Sequence, residues 1–449
     1  MKRENKQYIL SEQPVTSALI ALAVPSILTS LVTTIHNMID TYFISQLKDN
    51  TMIAATTVAL PITVLIYALG EGLGAGAESC IGRQMGAGQN EKVKESVSTT
   101  LILACFLSVI AVIFTITGLR PVIRTFTDDF TVVEHAYQYL SILTMGSVFV
   151  IFKQVCTHLL RSSGEVQFPM KTVFLEVAIN SILNPIFMFD FGLGMKVRGV
   201  AVATVIAQGI SAAILLTRLL TQKSVLSIDW RKLRLNFEST KEITAVGSAV
   251  FFRNGLPSLS YGLFAKSAGL FGTDYIAASG LARKAEQAAT FVVFGIAQGY
   301  QPFASYNYGA RNKQRLMSAM KQTILFTVLY GCAVGLIFYG APHLLMRIFT
   351  SDAALIADGT KILKWYAVGM PVIGIYQIFA ASFQSMGKSR VSFVTSVLKQ
   401  GIIYSPLVVI LPRLLNETGF AMVQPACDWL SAIITCVLAK QLIQEIKKM

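Results

Sequence analysis

The stretch AVPSILTSLVTTIHNMIDTYFISQL, Ala23 to Leu47, is long and oily enough to lie in a bilayer, yet it holds one carboxylate, Asp40. A helix needs about twenty mostly apolar residues to cross roughly 30 Å of hydrocarbon, so this run reads as part of a spanning segment. Helical spacing places His36 on the same face as Asp40, four residues away.

Outward from that run the same pattern repeats. The 449 residues are 53% hydrophobic and 14% charged, with a mean hydropathy of +0.59, which marks a membrane protein. Roughly twelve spans follow, beginning near Val15, Met52, Ser96, Val133, Thr172, Gly199, Ile243, Tyr275, Ser318, Leu355, Val391 and Gly419. The ten-residue alternation of a spanning barrel is not found. The first run is too long for a signal peptide's apolar region and lacks a cleavage pattern, so it is expected to stay.

The net charge of +14 has a plainer cause than a nucleic-acid partner, and none is expected. Basic residues cluster in alternate connections: Lys2, Arg3 and Lys6; Arg83, Lys92 and Lys94; Lys223, Arg231, Lys232 and Arg234; Arg311, Lys313 and Arg315; Lys447 and Lys448. The positive-inside rule then predicts a multi-pass cell-membrane protein with both termini cytoplasmic. The six cysteines lack metal or redox spacing, and no metal or cofactor is expected.

The longest polar connection, Thr221 to Glu242, falls near the middle of the chain. On its two sides MGAGQNEK (Met85–Lys92) answers YGARNKQR (Tyr308–Arg315), RTFTDD (Arg124–Asp129) answers RIFTSD (Arg347–Asp352), and RSSG (Arg161–Gly164) answers QSMG (Gln384–Gly387), all at one shift of roughly 223 residues. A shared shift identifies a duplicated unit, and an even number of spans per unit makes it a parallel repeat. The expected organisation is a tail (1–14), a first lobe (15–220), a linker (221–242), a second lobe (243–442) and a short tail (443–449).

Polar residues inside spans are expensive and mostly face a cavity or a partner. Asp40 and His36 are joined by Asn180 and Asn184, one helical turn apart in the fifth span, and by Thr204 in the sixth. Desolvation penalises a carboxylate anion, which makes Asp40 a candidate proton carrier; the alternative is a satisfied hydrogen bond between helices. The second half carries Arg253, Lys266, Arg283, Lys284, Glu286 and Lys399. Arg283 and Glu286 are spaced to pair, while Lys266 and Lys399 have no acid nearby in sequence and either snorkel or line a cavity that attracts anionic groups. GEGLGAGAESCIG, Gly70 to Gly82, lacks the strand and turn of a dinucleotide site; its small residues fit close helix packing, and Glu71 and Glu78 are either gate residues or a satisfied pair. No Walker loop, zinc-protease motif or catalytic triad is recognisable, so the chain is not expected to be an enzyme.

Together these segments resemble the multidrug and toxic compound extrusion (MATE) transporters, of the superfamily that also holds polysaccharide and lipid-precursor flippases. The resemblance is carried by Ala23–Leu47, by QPFASYNYGARN (Gln301–Asn312), and by LLRSSGEVQFPM and SFQSMGKSRV at the paired turns. It implies an all-α membrane protein with twelve transmembrane helices in two pseudo-symmetric lobes around a central cavity. It also implies efflux of small amphipathic organic compounds, driven by a proton or sodium gradient, by a monomer. Asp40 matches the first-helix acid to which the DinF-like branch assigns proton coupling, and Asn180 matches that branch's fifth-helix asparagine, whereas Asn184 stands where that branch commonly has an aspartate. Ala265 or Lys266 and Ile375 stand where the NorM-like branch has acids, which weakens a sodium site in the second lobe. Pro25 is the expected hinge of the first helix. The rival expectations are a flippase for a lipid-linked anionic precursor, with Lys266, Arg283 and Lys399 gripping phosphate, and a membrane-embedded lipid-modifying enzyme.

Overall fold

A computed structural model describes residues 5–47, 49–221, 225–226 and 234–449, without the side chains of residues 5, 6, 50 and 259. The start of the expected tail, residues 222–224 and 227–233 of the expected linker, and with them Lys2, Arg3, Lys223, Arg231 and Lys232, and also Lys48, lie outside the described residues. Among the described residues there is no strand. The helices are α1 (Asn5–Ser11), α2 (Val15–Ser45), α3 (Asn50–Gly86), α4 (Asn90–Thr117), α5 (Leu119–Arg124), α6 (Phe130–Met145), α7 (Ser147–Ser162), α8 (Gln167–Met188) and α9 (Val197–Thr221). They continue as α10 (Phe237–Ala268), α11 (Thr273–Gly309), α12 (Lys313–Gly340), α13 (Pro342–Phe349), α14 (Ala353–Ser385), α15 (Ser389–Val397), a π-helical turn (Leu398–Tyr404) and α16 (Ser405–Lys448).

Among the described residues seven helical runs are long and apolar enough to cross a membrane, the last of them α15, the π-helical turn and α16 taken together, and eight if α6 and α7, bent by 46° at Gly146, count as one. α8, α10 and α11 fall short of that measure because they carry the intramembrane polar residues, among them Glu176, Asn180, Asn184, Arg253, Arg283 and Glu286. α16 breaks at Leu415 and Asn416, where Asn416 takes φ 52° and ψ −139°, outside the left-handed helical region. The last two expected spans meet at that break.

The repeated motifs prove to be turns and caps, which is why they outlived the drift of the apolar residues between them. Asp129 and Asp352, at the same repeat position, cap α6 and α14: each accepts from two backbone amides, at 2.8 and 3.1 Å for Asp129 and at 2.8 and 3.2 Å for Asp352. Gly88 and Arg311 hold the matching left-handed turn (φ 70° and 53°), as do Gly164 and Gly387 (φ 83° and 70°). Replacing either capping aspartate by alanine is expected to destabilise the protein by about 1 kcal/mol, read as a lower melting temperature in detergent.

Contact clustering divides the chain into one unit of residues 1–7 and 31–254 and another of 8–30 and 255–449. The first half of α2 therefore clusters with the second unit, and α10 up to Asn254 with the first. Glycines allow the close approach in both. In the first unit, a Cβ on Gly72 would lie 2.8 Å from the Gly247 carbonyl oxygen, and one on Gly76 would overlap that of Ile243. In the second, a Cβ on Gly295 or Gly299 would lie within 2.5 or 2.6 Å of the α2 backbone at Ile27 or Ala23. The two glycine pairs are related by the repeat shift, and small residues substitute for hydrophobic drive where helices associate in lipid.

The first unit has a dry cluster of Ile62 and Ile66 of α3, Leu119 and Ile123 of α5, and Val133 and Leu140 of α6. The second is built on Phe420, whose ring centroid lies 5.1 Å from that of Phe264 and 5.5 Å from that of Tyr275, with Met346, Ile362 and Met370 in the same cluster.

Candidate functional site

In the first unit, α2, α8 and α9 bring the predicted polar residues into one chain of contacts. Spacing of four along α8 puts Asn180 and Asn184 on one face, both fully buried. Asn184 Nδ2 donates to Asp40 Oδ1 at 2.8 Å and to Asn180 Oδ1 at 3.0 Å. Asn180 Nδ2 donates to Thr204 Oγ1 at 3.2 Å, and that hydroxyl in turn donates to the Val200 carbonyl. Thr204 is thus one step removed from the carboxylate. His36 Nε2 approaches Asp40 Oδ2 to 3.4 Å without hydrogen-bond geometry. No lysine or arginine among the described residues forms an ion pair with Asp40. Its side chain is 18% exposed, enough to exchange a proton.

The chemistry of the set follows from donor counting. Asn184 uses both amide hydrogens, and its buried Oδ1 has no donor. An ionised Asp40 can only accept; a protonated one gains an O–H to donate. The orphan Asn184 oxygen is an acceptor within the same cluster, so taking up a proton changes which hydrogen bonds Asp40 can make.

Around this cluster lie residues that spacing did not single out. Gln208 of α9 is hydrogen-bonded to Tyr67 of α3, and Tyr67 and Tyr139 lie within electrostatic reach of Asp40. Lys153 of α7 pairs with Glu176 of α8 at 2.8 Å, both buried, with its ammonium 5.6 Å from the Tyr67 ring centre. Glu71 and Glu78 meet His158 of α7, so the two acids are held by a partner. Lys153 and Glu176 stand 23 positions apart, beyond any spacing rule, but a lysine and a glutamate in consecutive spans were a usable signal.

The second-half cations behave differently from expectation. Arg253 is not part of the second unit: it clusters with the first and acts on Glu71. Lys399 does have an acid, Asp428 of α16, at 2.8 Å from its ammonium and 1% exposed. The π-helical turn shifts the register beyond Leu398, and its carbonyls are capped by Cys427 on Lys399 O and Ser405 on Gln400 O. Arg283 and Glu286 do not form the expected ion pair. Arg283 donates to the Tyr404 hydroxyl at 2.9 Å and stacks on Tyr261 and Phe264 at 4.4 and 4.7 Å, while Glu286 accepts from Thr290 at 3.0 Å. Aromatic faces attract a guanidinium strongly when water is scarce. Lys266 and Lys284 are exposed. Pro25 lies inside α2, which continues unbroken through it.

Comparison with known proteins places these features. The MatE family model matches residues 25–186 and 250–410, one stretch in each half. Multidrug export protein MepA of Staphylococcus aureus (strain N315) is 26% identical over 446 residues, covering 98% of this chain and 96% of MepA. MepA of Staphylococcus saprophyticus is 26% identical over 444 residues, with coverage of 98% and 96%. A structure described as MATE in the bent conformation matches with a TM-score of 0.93 at 22% identity, over 100% of this chain and 99% of that one. A MOP superfamily transporter from Pyrococcus furiosus, described by a reverse polarity of its binding pocket, matches with a TM-score of 0.92 at 22% identity over 100% of both chains. At that identity the structures speak for the fold: twelve helices in two lobes.

Proposed function

Because the chain belongs to the MatE family of multidrug efflux transporters, we propose that it is a secondary antiporter that exports small amphipathic organic compounds in exchange for protons, with Asp40 carrying the proton. The observation that carries this reading is the Asp40 carboxylate, half-buried between α2 and α8 with an amide and an imidazole as neighbours and no lysine or arginine ion pair among the described residues. An acid locked to arginine or lysine would be a poor carrier; one held by neutral groups can load and unload. His36, Asn180, Asn184 and Thr204 position it.

In this cycle an ionised Asp40 accompanies the substrate-binding state. Protonation from outside turns the carboxyl into a donor, repacks α2 about Pro25 and disfavours the bound substrate. Coupling requires only that the two states bind the proton with different affinity. The protein acts as a monomer in the cell membrane with both termini cytoplasmic, which the basic cytoplasmic connections support.

Of the three cations offered to phosphate by the flippase alternative, two are engaged within the protein, Lys399 with Asp428 and Arg283 with Tyr404, and Lys266 alone is exposed. Proteoliposomes loaded with a fluorescent lipophilic cation such as ethidium decide the coupling ion. An imposed proton gradient is expected to drive ethidium movement, while an equal sodium gradient without a pH difference leaves it at the passive rate. Sodium-driven transport at fixed pH would overturn the proton assignment.

A further inference from the structure

We propose that Glu71, Glu78 and His158 form a second proton-binding site, separate from Asp40, whose proton is released along with that of Asp40 when substrate binds. The inference rests on the proton-antiport reading above and adds a group to it.

The site is built. Glu71 and Glu78 are two helical turns apart on one face of α3, with Gly74 between them. The imidazole of His158 lies over that glycine, where a Cβ would come within 2.5 Å of its Cδ2. Both ring nitrogens then meet a carboxylate: Nδ1 is 2.5 Å from Glu78 Oε2 and Nε2 is 3.2 Å from Glu71 Oε2. A neutral imidazole has one N–H and one bare lone pair. Two attractive contacts need two hydrogens among the three groups, either on an imidazolium between two carboxylates or shared with a protonated glutamic acid. The triad therefore holds one exchangeable proton beyond that of a neutral histidine. Its loss leaves a lone pair facing a carboxylate oxygen and weakens the contact between α3 and α7.

The surroundings fit exchange. His158 and Glu78 are each 2% exposed, while the Glu71 side chain is 17% exposed and gives the proton a way out. Gln154 Nε2 steadies Glu71 at 2.8 Å. Glu78 Oε1 is buried with no donor. The charged groups facing the triad are Arg161 of α7 and Arg253 of α10, both acting on Glu71, and Lys153 of α7, which is paired with Glu176 of α8 and also acts on Glu71. Lys153 further acts on Tyr67, which is in electrostatic reach of Asp40. The triad and Asp40 thus lie in one unit, with Lys153 and Tyr67 interacting electrostatically with groups of each. In the step itself only N–H and O–H bonds change: the imidazolium gives its proton to Glu71, which passes it to water.

The test counts protons released by the purified full-length protein in weakly buffered detergent when ethidium saturates it, with ethidium binding followed in the same sample. Wild type is expected to release about two per protein, and Asp40→Asn and His158→Gln about one each. Glu78→Gln, which keeps the side-chain shape, serves if His158→Gln does not fold, and is also expected to release one fewer. A wild-type count in histidine and glutamate variants that bind ethidium normally would overturn the second site and leave Asp40 in place. A wild-type count in Asp40→Asn, with a reduced one in His158→Gln, would instead overturn the Asp40 assignment and keep the triad.

Discussion

Asp40→Asn is expected to abolish the part of concentrative transport that the Asp40 proton drives, while leaving a folded protein. One proton crossing about 100 mV supplies roughly 2.3 kcal/mol, and a pH unit adds about 1.4. Coupled one for one, that sum holds a neutral substrate at a gradient of several hundredfold; a monovalent cation, whose own charge cancels the electrical part, sees about tenfold per pH unit. Asparagine is close to the aspartate in shape and cannot exchange a proton. The variant's gradient should therefore fall by the contribution of one proton, measured as ethidium accumulation in energised inside-out vesicles. The fold should survive, because Asn184 can still donate to the side-chain oxygen at position 40, as it now does at 2.8 Å.

The second large effect is on stability. Lys399 and Asp428 are 13% and 1% exposed at the side chain, so removing one leaves the other as an unpaired charge away from water. Breaking a buried pair from one side costs about 3–5 kcal/mol, whereas replacing both partners by apolar residues of similar volume is often neutral. Asp428→Leu and Lys399→Met are each expected to melt far below wild type in detergent, and the double variant to recover most of the loss. Glu286 and Asp428 lie in electrostatic reach of one another and of Lys399, which makes Asp428→Leu the milder single change. Single variants that melt with wild type would show that the pair contributes nothing to the fold.

Much of the architecture was legible because membrane helices announce themselves by length and because the repeat is written in residues with local duties. Asp129, Asp352, Gly164 and Gly387 recur since caps and left-handed turns tolerate few residue types. The Asp40 cluster was legible in part: spacing put Asn180 and Asn184 on one face, but only the packing of α8 against α2 says which amide meets the carboxylate. The partner of Lys399 escaped the sequence because Asp428 lies 29 residues further on, in α16, beyond any helical spacing, and a π-turn alters which way a side chain points. Arg283 was misread because helical spacing to Glu286 competes with three aromatic rings that no spacing reveals. His158 escaped notice as a lone histidine in an apolar run, and only the approach of α3 at Gly74 gives it meaning.

The most direct test of the central claim is infrared difference spectroscopy on protein with isotope-labelled aspartate, recorded on ethidium binding at constant pH. The account predicts loss of a protonated carboxyl band and gain of a carboxylate band, both absent from Asp40→Asn. A spectrum with no aspartate change, or one that persists in Asp40→Asn, would contradict it.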